Sequence, residues 1–406
     1  MTDITFDSLS VVAVSAFVAP LVVDRVRSVH VPVAVIEILL GVVIGPDVLG
    51  WAEIDEPVQV LALLGLAFVL FLAGFELDLH KLRGPLLRAA GVGFLCVLGA
   101  GLVVGFALDA FGLVDSPLLA AILLSATSLA LVTPVLRDGQ QLSSRLGQLA
   151  MGCASVSEFG AVALLSLLFT KEADSMSVRL VLAAAFVGLI AAVGLVAARA
   201  SHARAVRRLF ERLHGGTSQI RVRGAIMIMA LFVVLAQEVG LEAILGALVA
   251  GALLGVLDRG ALRENVEFRS KMDAVGYGFL APVFFIWSGM SIDIDALRDR
   301  PSRIVLIGLF FVALLAVHLV AVPVYRRTVR PRAALVVGLL GSTSSLPFVV
   351  TATAIGQESG FLTAATAAAL LVAGVLSALV FPVLALLILR REETEGELAP
   401  APPEPA

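Results

Sequence analysis

A chain of 406 residues in which 59% of side chains are apolar and only 15% are charged, with a mean hydropathy of +1.02, is not an ordinary soluble domain. Its net charge of −3 says little about partners, because in a membrane protein the information lies in where Lys and Arg fall on loops. Cys96 and Cys153 sit inside apolar runs without metal spacing, and no Walker loop, dinucleotide fingerprint, zinc pair or Ser-His-Asp arrangement occurs, so neither an enzyme, nor a cofactor, nor a nucleic-acid partner is expected.

Cutting the apolar runs at charged, Pro and Gly clusters predicts an all-α membrane protein with about 13 transmembrane helices. The spans fall near 8–23, 33–50, 58–77, 87–111, 118–136, 147–170, 178–198, 222–239, 241–257, 274–290, 303–325, 333–355 and 361–389. Asp3 and Asp7 stand where a signal peptide would carry positive charge, so the first span reads as a retained helix. The interruption Gln237–Glu242 is taken to separate two helices. With that division, of the 29 Lys and Arg only Lys171, Arg179, Arg298, Arg300 and Arg303 lie on the face opposite the rest. The positive-inside rule then puts the N-terminus outside and the C-terminus in the cytoplasm, and no Lys or Arg remains for the interior of a span.

The chain repeats itself. Glu37-Ile-Leu-Leu-Gly…Gly50 recurs as Glu242-Ala-Ile-Leu-Gly…Gly255, Leu70-Phe-Leu-Ala-Gly…Leu79 as Phe285-Ile-Trp-Ser-Gly…Ile294, and Ala126-Thr-Ser-Leu129 as Ser342-Thr-Ser-Ser345, in the same order at offsets of about 205 to 216 residues. The matching spans are seven positions apart, an odd number, so the two repeats are inverted across the bilayer, as in many alternating-access carriers. This gives one transporter domain, 1–391, with repeat one at about 8–170, a linker helix at about 178–198 and repeat two at about 222–389. The acidic, Pro-rich tail 392–406 cannot fold alone. Gly41/Gly45, Gly101/Gly105 and Gly251/Gly255 are expected to let helices approach closely.

Hydroxyl residues crowd the fifth and twelfth spans at equivalent places. Thr127 and Ser128 precede Thr133-Pro134, and Thr343, Ser344 and Ser345 precede Pro347. Proline removes a backbone donor and frees a carbonyl one turn back, and such backbone survives at depth only when buried in protein or lining a watery cavity. The pair therefore predicts two discontinuous helices whose extended segments meet near the midplane. Glu158 lies at the middle of the sixth span, where a carboxylate costs about 2.5–3.5 kcal/mol on insertion scales and marks a functional site. Glu37 and Glu242 lie near the starts of their spans, where interfacial solvation or a helix N-terminus accounts for them. Glu76, Asp78 and Asp293 read as loop charges, and His318 is the one basic side chain at depth and a possible partner of the site.

The segments VPVAVIEILLGVVIGPDVLGW (31–51), LAFVLFLAGFELDL (66–79), SATSLALVTPVL (125–136), APVFFIWSGMSIDI (281–294) and GLLGSTSSLPFVVTATA (338–354) together resemble the monovalent cation:proton antiporters of the Kef-type branch, of the sodium/hydrogen exchanger family. The resemblance covers about residues 8–390 and implies two inverted repeats with crossed discontinuous helices, a moving domain that holds the ion site, a homodimer formed by the other domain, and a bacterial inner (plasma) membrane. It places the family's acidic motif on Ser157 and Glu158 and its crossover threonine on Thr127. The family often has Lys or Arg near Val317-His318. Here Glu replaces Asp, Ser157 carries no charge and the familiar basic partner is missing. The expected site is a monovalent cation (Na+ or K+) or a proton on Glu158, with oxygens from Ser157, Thr127, Ser128 and crossover carbonyls, supported by Thr343, Ser344 and Ser345. One ionisable group implies one-for-one, electroneutral exchange. Transport of another solute on the same architecture and a non-transporting regulator are the alternatives, and no nucleotide-binding regulatory domain is expected in this chain.

Overall fold

The computed structural model describes residues 5–25, 32–76, 84–169, 188, 219–238, 241–261, 266–298 and 301–394. The predicted linker helix 178–198, apart from Gly188, and the tail beyond Thr394 lie outside them. The described residues are helical, with one isolated β-bridge. In chain order the helices are α1 (Asp7–Arg25), α2 (Val33–Ile44), α3 (Glu56–Glu76), α4 (Pro85–Ala110), α5 (Pro117–Ser125), α6 (Leu129–Asp138), α7 (Arg145–Leu168), α8 (Ile220–Glu238) and α9 (Ala243–Ala261). They continue as α10 (Val266–Val275), a π-helical turn Gly276–Leu280, α11 (Ala281–Met290), α12 (Ile294–Arg298), α13 (Pro301–Leu319), α14 (Val322–Tyr325), α15 (Pro331–Gly341), α16 (Leu346–Glu358) and α17 (Ala364–Thr394).

Seven stretches among the described residues are long and apolar enough to cross a bilayer: α1, α3, α4, α7, α8, Ile304–Tyr325 and α17. The interruption at 237–242 separates α8 from α9. The fifth and twelfth predicted spans are each two helices, α5 and α6 in one and α15 and α16 in the other. These segments are apolar on every side, so neighbours rather than amphipathicity decide what is covered. In α3, 67% of the most apolar window is buried in protein, against 17% in α8, whose Leu231 and Val234 are exposed. That exposed surface suits lipid.

The chain divides into two compact units. Unit one holds Met1–Ala19, Glu37–Asp78 and Val162–Ser291, and unit two holds Pro20–Ile36, Leu79–Ala161 and Ile292–Ala406.

In unit one, α3 packs against α9 and α11. The approach is backbone to backbone. A Cβ on Gly74 would stand 2.0 Å from the Leu248 carbonyl oxygen and 2.9 Å from the Ala252 nitrogen, and one on Gly289 would stand 2.0 Å from the Ile38 oxygen and 2.9 Å from the Val42 nitrogen. Gly251 faces the Phe71 oxygen at 1.9 Å as Gly41 faces that of Ile286 at 2.0 Å. The two helix pairs α3–α9 and α11–α2 thus use the same contacts, residue for residue. They set a register that differs from the matching of letters. Gly41 corresponds to Gly251, whereas Gly246, its partner by sequence, packs on Phe232 of α8. The π-turn lies where Gly276 meets Phe68 and Leu72 of α3. At the end of α3, Glu76 pairs with Arg269 at 3.4 Å.

In unit two, α4 packs closely on α5 through Gly101 against Ala121 and Gly105 against Pro117. Helix α17 packs against α13, α15 and α16. Ser116 caps α5 by accepting from the Leu119 N–H at 3.3 Å, and Pro117 follows in the first turn, where a missing N–H costs nothing.

Candidate ion-binding site

The site lies wholly in unit two and is built on two interruptions. Between α5 and α6, residues 126–128 are extended, with Ala126 at φ −76°, ψ 123° and Ser128 at φ −82°, ψ 110°. Between α15 and α16 the chain leaves the helix at Ser342 and re-enters after Ser345 at φ −78°, ψ 102°. The two segments run antiparallel: Thr127 and Ser344 form the isolated bridge, and the Ser128 N–H donates to the Thr343 carbonyl at 2.9 Å. Thr127, Ser128, Thr343, Ser344 and Ser345 are all buried.

Short hydroxyl side chains favour such breaks because they bond nearby backbone in non-helical conformations. Ser128 does so as the N-cap of α6, accepting from the Leu131 N–H at 3.3 Å. The prolines mark the region without making the break. Pro134 lies inside α6, which continues through it to Asp138, and Pro347 occupies the first turn of α16.

Glu158 on α7 joins the two interruptions. Its Oε2 accepts from the Leu129 N–H at 3.0 Å, and Ser345 Oγ donates to its Oε1 at 2.9 Å. Leu129 and Ser345 are matching positions of the repeated Ala-Thr-Ser-Leu and Ser-Thr-Ser-Ser motifs. One carboxylate therefore holds equivalent points of both crossovers, at the start of α6, where the helix dipole favours negative charge. With 4% of its surface exposed, Glu158 depends on these donors in place of water.

His318 on α13 bonds the first crossover rather than Glu158. Its Nδ1 lies 2.8 Å from the Leu314 carbonyl oxygen, which can only accept, so Nδ1 carries a proton. Its Nε2 lies 3.3 Å from Thr127 Oγ1, whose own proton points to the Gly341 carbonyl at 2.7 Å. A second ring proton on Nε2 would donate to Thr127 Oγ1 and leave the Thr127 proton on Gly341. A bare Nε2 would compete with Gly341 for that one proton.

Two hydroxyls at the second crossover, Thr343 Oγ1 and Ser344 Oγ, are buried without a hydrogen-bond partner. An unpartnered buried hydroxyl is costly, and oxygens of this kind fit a hard cation or a water. The Ser344 N–H donates to Ser377 Oγ at 3.1 Å, and Ser377 donates to the Gly374 carbonyl at 2.7 Å. Ser157 is buried beside Glu158 on α7 without a hydrogen bond to either crossover.

Sequence reasoning missed the Leu129 N–H, the Gly341 carbonyl and Ser377. The first two are backbone groups with no side-chain signal; Ser377 could have been noticed as a polar residue in the apolar run 361–389. The other acids fall elsewhere. Glu37 is buried in α2, the Glu242 N–H donates to Ser166 Oγ at 2.9 Å ahead of α9, and Asp293 Oδ1 accepts from the Ala296 N–H at 2.7 Å to cap α12. Asp78 lies outside the described residues. Among the described residues, no group of three or more His, Cys, Asp or Glu could hold a metal ion, so the available oxygens are one carboxylate, hydroxyls and backbone carbonyls.

The Bacillus subtilis (strain 168) protein YjbQ is 28% identical over 98% of this chain and 65% of its own length. The glutathione-regulated potassium-efflux system protein KefC of Klebsiella pneumoniae (strain 342) is 29% identical over 88% of this chain and 56% of its own length. The chain thus spans less than two thirds of both relatives. The structure of the sodium proton antiporter MjNhaP1 from Methanocaldococcus jannaschii at pH 8 superposes with a TM-score of 0.66 at 17% identity, covering 96% of this chain and 97% of that one, which establishes a shared fold. Residues 13–390 match the family model described as sodium/hydrogen exchanger, transmembrane, so the chain belongs to the transmembrane sodium/hydrogen exchanger family, whose members are secondary transporters rather than enzymes.

Proposed function

We propose that the chain is a secondary active antiporter that exchanges a monovalent cation, Na+ or K+, for protons at Glu158 by alternating access. The observation that supports it is the Glu158 carboxylate held by Leu129 and Ser345 where the two extended segments meet. Both ions are named among its relatives, K+ for KefC and Na+ for MjNhaP1.

The donors suggest where the proton goes. Oε2 faces a backbone N–H, which can only donate, whereas Oε1 faces a hydroxyl, which can also accept. A proton arriving on Oε1 reverses that bond, so that Glu158 donates to Ser345. With the proton gone, the lone pairs are open to a cation, and Thr127, Ser128, Thr343 and Ser344 supply further oxygens. Competition for one carboxylate couples the two fluxes. The inverted duplication, supported by the matched glycine contacts and the antiparallel bridge, would let the site open to either side. The reading includes a homodimer in a bacterial inner membrane with the Arg-rich face and the C-terminus in the cytoplasm.

Cation-evoked proton movement in proteoliposomes, followed with a pH dye over a series of cations, tests the assignment. Ser345→Ala should raise the half-maximal cation concentration about 10- to 150-fold, since a hydrogen bond to a charged group contributes roughly 1.5–3 kcal/mol. An unchanged value would remove Ser345 from the site. Exchange should also be insensitive to a membrane potential clamped with valinomycin and K+; acceleration or arrest by voltage would show that charge moves and that a second titrating group takes part.

A further inference from the structure

A hydroxyl that serves a cation turns its oxygen to the ion and must leave its proton on some other acceptor. Thr127 leaves its proton on the Gly341 carbonyl at 2.7 Å. Ser344, its partner in the antiparallel bridge, has no such acceptor: its Oγ is without a hydrogen-bond partner and the residue is 0% exposed. A buried polar group left unsatisfied costs more than a typical hydrogen bond contributes, so a group that completes it is expected at its side.

Gly374 on α17 shows where that group fits. Glycines that packing demands stand against backbone, as Gly105 does with its Cβ position 2.3 Å from the Pro117 oxygen. Gly374 is buried too, yet a Cβ there would lie 3.6 Å from Leu346 Cδ2 and 3.8 Å from both Cβ and Oγ of Ser344, all ordinary contacts. Alanine is therefore sterically allowed and is the better helix former, so glycine keeps a space the size of a methyl group beside the Ser344 hydroxyl. Ser377 Oγ is bonded to both residues. It accepts from the Ser344 N–H at 3.1 Å and donates to the Gly374 carbonyl at 2.7 Å, which leaves it one lone pair. The Ser344 proton needs an acceptor, which a cation cannot be and a water can.

We propose that a single water molecule binds between the second crossover and α17 in the space that Gly374 keeps, where it accepts the Ser344 proton and donates to Ser377 Oγ. With its proton on the water, Ser344 Oγ presents only lone pairs and is set to serve the cation. That service rests on the antiporter reading, whereas the binding of the water does not.

The test is a double-mutant cycle on the full chain in detergent. Gly374→Ala is expected to displace the water and lower the melting temperature, because the Ser344 proton loses its acceptor. In Ser344→Ala, which has no such proton, the same substitution should raise the melting temperature, because the methyl group fills the space and favours the helix. A rise in both backgrounds, or an effect of Gly374→Ala that needs Na+ or K+ in the buffer, would overturn the proposal. Should Ser344→Ala fail to fold, X-ray radiolytic labelling decides. Bound water yields hydroxyl radicals in place, so Leu346, only 2% exposed, should be labelled in the wild type and severalfold less in Gly374→Ala; an unlabelled Leu346 in the wild type overturns the proposal. In proteoliposomes the half-maximal cation concentration of Gly374→Ala should rise severalfold with the maximal rate kept. An unchanged value alongside opposite melting shifts would end the service to the cation, and a wild type without cation-evoked proton movement would end the antiporter reading while the melting cycle still decides the water.

Discussion

Glu158→Gln is expected to reduce cation-evoked proton movement to the background of protein-free vesicles while leaving the protein folded. The amide fills the same volume, and its oxygen can still accept from the Leu129 N–H as Oε2 does at 3.0 Å. What it loses is the charge that attracts a cation and the ability to exchange a proton. Glu158→Asp tests geometry at constant charge. One carbon shorter, the carboxylate cannot keep both the Leu129 and the Ser345 bonds, and losing one of two charge-assisted hydrogen bonds, at roughly 1.5–3 kcal/mol, should weaken cation binding about 10- to 150-fold. Exchange persisting undiminished in Glu158→Gln would end the assignment of this residue. A bound solute larger than an ion at the crossovers, with no cation dependence, would instead favour transport of another substrate.

The second large effect is on stability. Gly251→Ala places a methyl carbon 1.9 Å from the Phe71 carbonyl oxygen and 2.9 Å from the Phe75 nitrogen. Both are backbone atoms of α3, so no rotamer change relieves the clash and α3 and α9 must separate. Overpacking a well-filled interface costs about 1–3 kcal/mol and occasionally more; with backbone on both sides, about 3 kcal/mol or more is expected here. Gly41→Ala should behave alike, because the Ile286 oxygen stands 2.0 Å from its Cβ position. Gly224→Ala in α8 is the control. Nothing lies within 4 Å of its Cβ position, and Ala is the better helix former by about 1 kcal/mol. Melting in detergent should drop for the first two variants and hold or rise for the third; a Gly251→Ala protein melting like wild type would contradict the close approach of α3 and α9.

Much of the candidate site can be read from the sequence. Glu158 stood out because a carboxylate in the middle of an apolar run is expensive, and the two breaks because hydroxyl clusters recur at matching places near prolines. The prolines play a smaller part than their places in the sequence suggest, since α6 runs through Pro134 and the extended residues precede both rings. His318 is visible in the sequence as a polar group in an apolar run, but its contact with Thr127, 191 residues away along the chain, is not.

The division follows from the range of each physical effect. Hydropathy, helix length and the cost of a buried charge act within a few turns, so the class of protein, most of its described helices and its candidate ion-binding acid can be read from local pattern. Two partners of that acid come from 29 and 187 residues away, and one of them is a backbone N–H that every residue but proline possesses. The register of the glycine contacts is likewise settled by helices packing backbone to backbone, which is why Gly41 shares its contact with Gly251 and not with the glycine that matching letters suggest. Only the tertiary structure could decide these, because the choice among many equivalent small residues and backbone groups is made by packing, which no local pattern encodes.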